Sequence, residues 1–498
     1  MSAVARSLDR IADITVLHKA ALICLVIILA AAIALLPLPY AGLVIGGLGA
    51  LFLLLIRPEW GLWLLVFAVP YGSLKEGTSG GLDLPLAEPL VVAVFALWLM
   101  RGVKERRIVV EPAPLYIPLL LFLGLGIFSL STAPSLALGA KELLKWAALL
   151  AAYMLAVNNV RSRRQVAVLL SLIFVAAISE SLLGFYQFVA KAGPKGFAVG
   201  TFLRAFGTFG QPNPYAGYLA VVAAAAFGVV LFSIRAVFAR SSKMQANAKW
   251  LIFISWATFV ACFGAIVISL SRGALLGLVV AVMVVMAVSS RRTLFAMLAL
   301  LTILALFLGL GAMQLLPAQI SDRISEAVSN FGVFDVREVK LTPENWPIVE
   351  RMAMWQAAWY MYEDHPLLGV GIGNYVEAYK DYHMPGWKKD KGHAHNYYLN
   401  VLAEMGTVGL IAYLLLLTTF FTHIIRVIRR LSRSPDYQLE RYIVIGLLGA
   451  LVALSMHNIF DDLFVHGIGV LIALILGLAT VLGKLVPQRN VPGTQGGA

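Results

Sequence analysis

Charge is scarce in this 498-residue chain: 13% of its residues are Asp, Glu, Lys or Arg, against 60% hydrophobic. Soluble globular proteins carry about 25% charged and about 45–50% apolar residues. The deficit runs over nearly the whole length, which excludes a cytosolic enzyme, a secreted protein and a fibrous one. Cysteine is almost missing as well. Cys24 and Cys262 both lie in apolar runs and read as packing residues, so neither a disulfide framework nor a cysteine metal site can be built. No sustained apolar–polar alternation is present, which argues against an outer-membrane barrel. Residues 1–19 mix charges, with Asp9 and Asp13, and lack a small-residue cleavage site; they read as a cytoplasmic N-terminus rather than a signal peptide. No inverted repeat of the transporter kind is visible.

Long apolar runs are abundant instead. A helix needs roughly 20 apolar residues to cross about 30 Å of hydrocarbon. Candidate spans fall at 20–36, 41–56, 60–71, 84–100, 115–130, 141–157, 165–189, 213–234, 250–270, 273–289, 293–313, 396–421, 440–458 and 464–483. Pro58 and Pro70 break the second and third, so the expectation is an all-α, polytopic membrane protein with 12–14 transmembrane helices. The organisation expected is an N-terminal bundle at 20–189, core helices at 190–313, a large outer loop at 314–394 bearing short helices, C-terminal helices at 395–485 and a disordered cytoplasmic tail at 486–498.

Basic residues are in surplus, 39 against 26 acidic, for a formal charge of +13. They sort by loop. Arg6, Arg10 and Lys19, then Arg57, Arg101 to Arg107, Arg161 to Arg164, Arg235 to Lys249, Arg291 and Arg292, Arg426 to Arg433, and finally Lys484 and Arg489 occupy every second connection. This is the positive-inside pattern, and it places both termini in the cytoplasm. The surplus is a topology signal and not a nucleic-acid surface. The loop 314–394 then falls outside. Within it Ile348, Met352, Trp355, Trp359 and Tyr362 follow helical spacing, so 348–363 reads as a helix resting on the outer face with an aromatic stripe. His365-Pro366 stops it. The Gly369-Val370-Gly371-Ile372-Gly373 run follows a helix and not a strand, so it is a tight turn and no dinucleotide fingerprint.

Ionisable groups at span edges are costly and are functional candidates by default. Arg204 precedes one span, Arg272 stands between two, and Arg351 opens the loop helix; all three fall at the outer boundary. Guanidinium groups match phosphate oxygens in a bidentate way and keep their charge, so a diphosphate at headgroup level suits the set. The plain alternative is that each arginine anchors a helix end. His383, His393 and His395 cluster before the span at 396, with Asp381 and Asp390 nearby, but no third metal ligand is well placed, and no metal or cofactor is expected. His393 reads as a cap or packing residue. The pair Asp461 and Asp462, in the last short outer loop, reads as solvated and stays outside the candidate set.

Four motifs then resemble one family. Arg272 with Leu276 fits Arg-x3-Leu, and His395 with Gly406 fits His-x10-Gly, of bacterial O-antigen ligases. The stretches Gly207-Thr208-Phe209-Gly210-Gln211-Pro212-Asn213 and His365-Pro366-Leu367-Leu368-Gly369-Val370-Gly371 resemble the wider O-antigen ligase/polymerase (Wzy_C) superfamily. The resemblance covers about 165–470. It implies a metal-independent, membrane-embedded glycosyltransferase that moves a glycan from undecaprenyl diphosphate to an acceptor hydroxyl on the periplasmic face. The acceptor is lipid A–core in ligases, another lipid-linked repeat in polymerases, and a protein hydroxyl in oligosaccharyltransferases. On this reading Arg204 and Arg272 hold the diphosphate with Arg351 as a third, His395 is the general base, and Lys380 and Tyr398 line the sugar path. Ligase is favoured because both ligase motifs match. Two other classes stand beside it. A small-anion transporter should keep its ionisable groups near the midplane, and a structural scaffold should tolerate loss of His395 and Arg272.

Overall fold

The computed structural model describes residues 59–72, 85–238, 246–309, 334–342 and 345–486. Contacts divide the chain into residues 1–61 and 62–498. The expected cytoplasmic N-terminus, the spans at 20–36 and 41–56, the end of the span at 293–313 from residue 310, residues 314–333 and 343–344 of the expected outer loop, and the tail from 487 lie outside the described residues.

Every expected span from residue 60 onward has its helix. These are α1 (Glu59–Tyr71), α2 (Ala87–Lys104), α3 (Tyr116–Ser129), α4 (Leu136–Asn159), α5 (Arg163–Ala190), α6 (Pro212–Phe238), α7 (Ala246–Ser269), α8 (Arg272–Ser289) and α9 (Arg291–Gly309). After the segment with α10 (Trp346–Asp364) and α11 (Tyr375–Tyr382) come α12 (Tyr397–Ser432), α13 (Gln438–His457) and α14 (Ile468–Lys484). Six described helices are long and apolar enough to cross a bilayer, and the chain is a multi-pass helical membrane protein. The one departure from all-α among the described residues is a two-stranded hairpin, β1 (Ala198–Val199) with β2 (Phe202–Leu203).

Small residues decide which helices are central. α13 packs on α6 and α8. A Cβ on Gly446 would overlap the Ala225 carbonyl, one on Gly228 would lie 2.6 Å from Gly446 Cα, and one on Gly277 would lie 2.9 Å from the Ala453 carbonyl. Lipid is as apolar as leucine, so helices in a membrane associate through this kind of close backbone contact. In the most apolar part of α6, 83% of residues are buried, against 33% in α8, so α6 is the inner helix of the group. Cys262 is fully buried on α7, as packing required.

Two expectations need adjusting. The span expected at 396–421 continues to Ser432, because Arg426, Arg429 and Arg430 extend the helix past its apolar part. In α10 the buried face is Val349, Met352, Ala353, Met354, Ala357, Ala358 and Met361, whereas Trp359 is 46% exposed. The alanines let α10 lie close on α12, and the tryptophan is left at the rim with its indole N–H on Glu363 (2.7 Å).

Candidate active site

One end of the α6–α8–α13 group holds a cavity of about 200 Å³ lined by Arg204, Asn213, Arg272, Arg351, His457 and Asp461, among others. That is below the roughly 300 Å³ at which drug-sized ligand pockets begin, a scale suited to a small charged group. Three sequence-predicted arginines, from three separate segments, therefore meet in one place.

Each has its own local cause. Arg204 follows the hairpin and is laid against the α7–α8 turn, donating from Nε to the Ser269 carbonyl (2.7 Å) and from Nη2 to Asn213 Oδ1 (2.9 Å). The segment behind it is clamped by α5. Gln187 Oε1 accepts the N–H of Phe206 (3.1 Å) and Gly207 (2.8 Å), and Glu180 accepts that of Thr208 (3.0 Å). Glu180 and Gln187 are two turns apart on one helix face. Gly207 is required here: its φ is +54°, and a Cβ would meet Glu180 and Tyr215. Arg272 is the first residue of α8, following the N-cap Ser271 and Leu270, whose φ of +55° turns the chain. The N-terminus of α8 therefore faces the cavity, adding N–H groups and positive dipole to the guanidinium charges. Arg351 comes from the start of α10, where Pro347 and Ile348 share the wall.

His395 stands beside this cavity. Asn396 caps α12 by accepting Leu399 N–H (3.1 Å), Tyr397 N–H donates to the Asn458 carbonyl (2.8 Å), and His395 itself takes a φ of +51°. These contacts bring Nδ1 of His395 to 2.9 Å from Asp461 Oδ1. Asp461 is 3% exposed, and Asp462 is buried with it. The solvated-loop reading of this pair is thus corrected: Asn458 Oδ1 accepts Leu463 N–H (2.9 Å), Lys145 Nζ donates to the Phe464 carbonyl (3.2 Å), and the loop is folded inward. Burial alone would raise the Asp461 carboxyl, but the hydrogen bond from His395 and the charges of His395 and His393 hold it well below the usual carboxylate range. A carboxylate in this position fixes the imidazole tautomer and leaves Nε2 as the reactive nitrogen.

His393 packs edge-on against His395, with ring centroids 4.4 Å apart, and its Nε2 is 3.6 Å from Asp461 Oδ1. Burial, and then the charge of His395, lower its pKa. His393, His395 and Asp461 present ligand atoms within 4.8 Å of one another, so Asp461 is the third ligand that the sequence did not supply for a divalent cation. Of these groups, His395 Nδ1 is hydrogen-bonded to Asp461 (2.9 Å), and His393 Nδ1 accepts the backbone N–H of His395 (3.1 Å).

Lys380 and Tyr398 are not among the cavity residues. Lys380 pairs with Glu377 (2.6 Å) on the exposed side of α11, and the Tyr398 hydroxyl donates to the Ser455 carbonyl (3.0 Å). Sequence reasoning missed Asp461, His457, Glu180 and Gln187. The run His457-Asn458-Ile459-Phe460-Asp461-Asp462 was the available signal for the first two.

The motif glycines have a structural task. Gly406 interrupts α12 with a φ of +64°, and a Cβ there would overlap the Leu367 carbonyl. The turn at 365–373 packs into this kink: Pro366 O accepts Thr407 N–H (2.9 Å), while Glu404 accepts the N–H of Gly373 (2.9 Å) and Tyr375 (3.0 Å). The two motifs are therefore halves of one contact beneath His395.

No curated protein matches the chain. Arg204 and Asp461 lie outside the stretch that a family model recognises. That stretch, residues 257–414, matches Wzy_C, described as O-antigen ligase, which places it, with Arg272, Arg351, His395 and Gly406, in the O-antigen ligase superfamily.

Proposed function

We propose that the protein is a glycosyltransferase of the O-antigen ligase type, acting at the outer face of a bacterial inner membrane. It transfers a glycan from undecaprenyl diphosphate to a hydroxyl of lipid A–core. One observation carries the reading: Arg204, Arg272, Arg351 and the N-terminus of α8 surround a small cavity beside a His395–Asp461 pair. Positive groups there match a diphosphate, and the imidazole matches an alcohol. The anomeric carbon arrives already activated by its leaving group. As the C–O bond to the diphosphate breaks, its electron pair goes to the phosphate oxygen, and the arginines stabilise that charge. The acceptor oxygen bonds to the anomeric carbon and its proton passes to Nε2 of His395, with Asp461 stabilising the imidazolium. Lys380 and Tyr398 are assigned to the path of the sugar, and no step is assigned to a metal.

The loop 314–394 lies outside on this reading and both termini inside. The position of the charged cluster disfavours a small-anion transporter, whose ionisable groups would sit near the midplane. The test is turnover in proteoliposomes holding undecaprenyl-diphosphate-linked glycan and candidate acceptors, with wild type beside His395→Ala. Donor loss in the wild type only, with one added block, supports a ligase. A ladder of products identifies a polymerase, and transfer to a protein acceptor an oligosaccharyltransferase. Well-folded wild type that consumes no donor with any acceptor refutes the proposal.

A further inference from the structure

His457, the last residue of α13, is 1% exposed, yet its ring lines the same cavity as Arg204, Arg272 and Arg351. Among the described residues, neither Nδ1 nor Nε2 has a hydrogen-bond partner. Buried polar atoms are nearly always paired, and one that is not calls for a specific reason, such as a ligand that completes it. The local sequence keeps the ring facing the arginines. Asn458, the next residue, is tied at its carbonyl to Tyr397 N–H and at Oδ1 to Leu463 N–H, so the end of α13 is fixed. Opposite the ring stands Gly273, directly after Arg272; a Cβ there would be 3.7 Å from both Nδ1 and Cε1 of His457. Any side chain longer than alanine at 273 would press on the ring. Among the described residues, the one anionic wall residue, Asp461, is already engaged by His395. An imidazole offers one N–H when neutral and two when charged, so a phosphate oxygen is a partner for it in either state.

We infer that His457 is a fourth ligand of the diphosphate, donating a ring N–H to one of its oxygens alongside the three arginines. The inference rests on the cavity being the diphosphate site. It adds a neutral-capable donor at the base of a cationic cavity, aimed at the group whose charge grows as the glycosidic C–O bond breaks. No proton transfer from His457 is needed: the electron pair goes to the phosphate oxygen, and the acceptor proton goes to His395.

The experiment uses the full chain in proteoliposomes, with His457→Phe, which keeps a ring without a donor, and His457→Gln, which restores one. Inorganic pyrophosphate is the binding probe, and kcat and KM are measured with the lipid-linked donor. Loss of one donor of this kind typically costs about 10²-fold in kcat. His457→Phe should therefore lose about that much, bind pyrophosphate more weakly and melt as the wild type does, while His457→Gln should recover much of both. If His457→Phe does not fold, His457→Leu set against His457→Gln makes the same comparison. Wild-type kcat and pyrophosphate affinity in the donorless variant, with both lost in Arg272→Ala, would overturn the inference and leave the cavity's role intact. A wild type with no affinity for pyrophosphate would overturn both.

Discussion

Asp461 stands 66 positions after His395 in the chain and 2.9 Å from it in space. Two aspartates in a short loop look solvated as text, and only the inward fold of 458–464 reveals the pairing. The arginines were legible because a charge at the edge of an apolar run is expensive wherever the chain goes. The aspartate became legible only through a distant partner. Replacing the orienting carboxylate of a His–carboxylate pair can cost about 10⁴ in kcat. Here the backbone contacts around Asn396 and Tyr397 also position His395, so Asp461→Asn should lose nearer about 10²-fold, read as kcat in the reconstituted assay. If the three-group set works by hydrogen bonding alone, prolonged chelation should leave turnover unchanged. Activity lost on chelation and restored by one divalent metal would convert His393, His395 and Asp461 into a metal site. The set also sets a pH response. Burial and the charge of His395 lower the pKa of His393, outweighing the pull of Asp461 and Asp462. Unfolded His393 takes up its proton near the ordinary value of about 6.5, and the folded residue only below that. Stability contributed by keeping this ring neutral is therefore full above about pH 6.5 and declines as pH falls beneath it. Asp461, with its lowered pKa, stays ionised across that range and contributes no slope. Melting temperatures from pH 7.5 down to 5.5 should fall, and His393→Gln should flatten the decline.

At the level of elements, hydropathy located the helices well because the bilayer allows few alternatives. It failed where side chains answer to a neighbour and not to lipid. The aromatic stripe of α10 satisfies helical periodicity, yet small residues take the interior because they permit close approach to α12. The β1–β2 hairpin is too short to leave a pattern, and α12 runs beyond its apolar part because arginine stems continue the helix. The 365–373 turn and the kink at Gly406 looked like two separate motifs, although they interlock. Gly406→Ala tests that interlock. It forces alanine to a φ of +64° and sets a Cβ against the Leu367 carbonyl. Strain of this type costs about 1–3 kcal/mol, so the variant should melt lower than wild type in detergent. It should also lose turnover, since the turn supports the chain that presents His395. An alanine variant with unchanged melting and activity would show that the kink is incidental.

Among the described residues, charge separates into two ends with different partners. At one end Arg163 pairs with Glu440 (3.2 Å) and stacks on Tyr437, Arg235 donates to the Tyr442 hydroxyl (2.7 Å), and Arg441 donates to the Ser289 carbonyl (3.0 Å). α8 and α13 run from there to the cavity, so Arg272 and His457 mark the opposite end. Arg163 and Arg235, both part of the positive-inside argument, belong to the first end, and Arg204, Arg272 and Arg351 to the second. Which end faces the cytoplasm tests the proposed donor, because the proposed lipid-linked glycan would meet the site on the outer face. With Cys24 and Cys262 replaced by alanine, a cysteine at Lys380, which is exposed on α11, should react with a membrane-impermeant maleimide in intact spheroplasts. A cysteine at Arg429, exposed near the end of α12, should react only after permeabilisation. The reverse pattern would put the arginine cavity in the cytoplasm. Nucleotide-activated sugars would then be the available donors, a small cavity lined by three arginines would face the wrong pool for a polyprenyl-linked glycan, and the transfer chemistry proposed for His395 would lose its substrate.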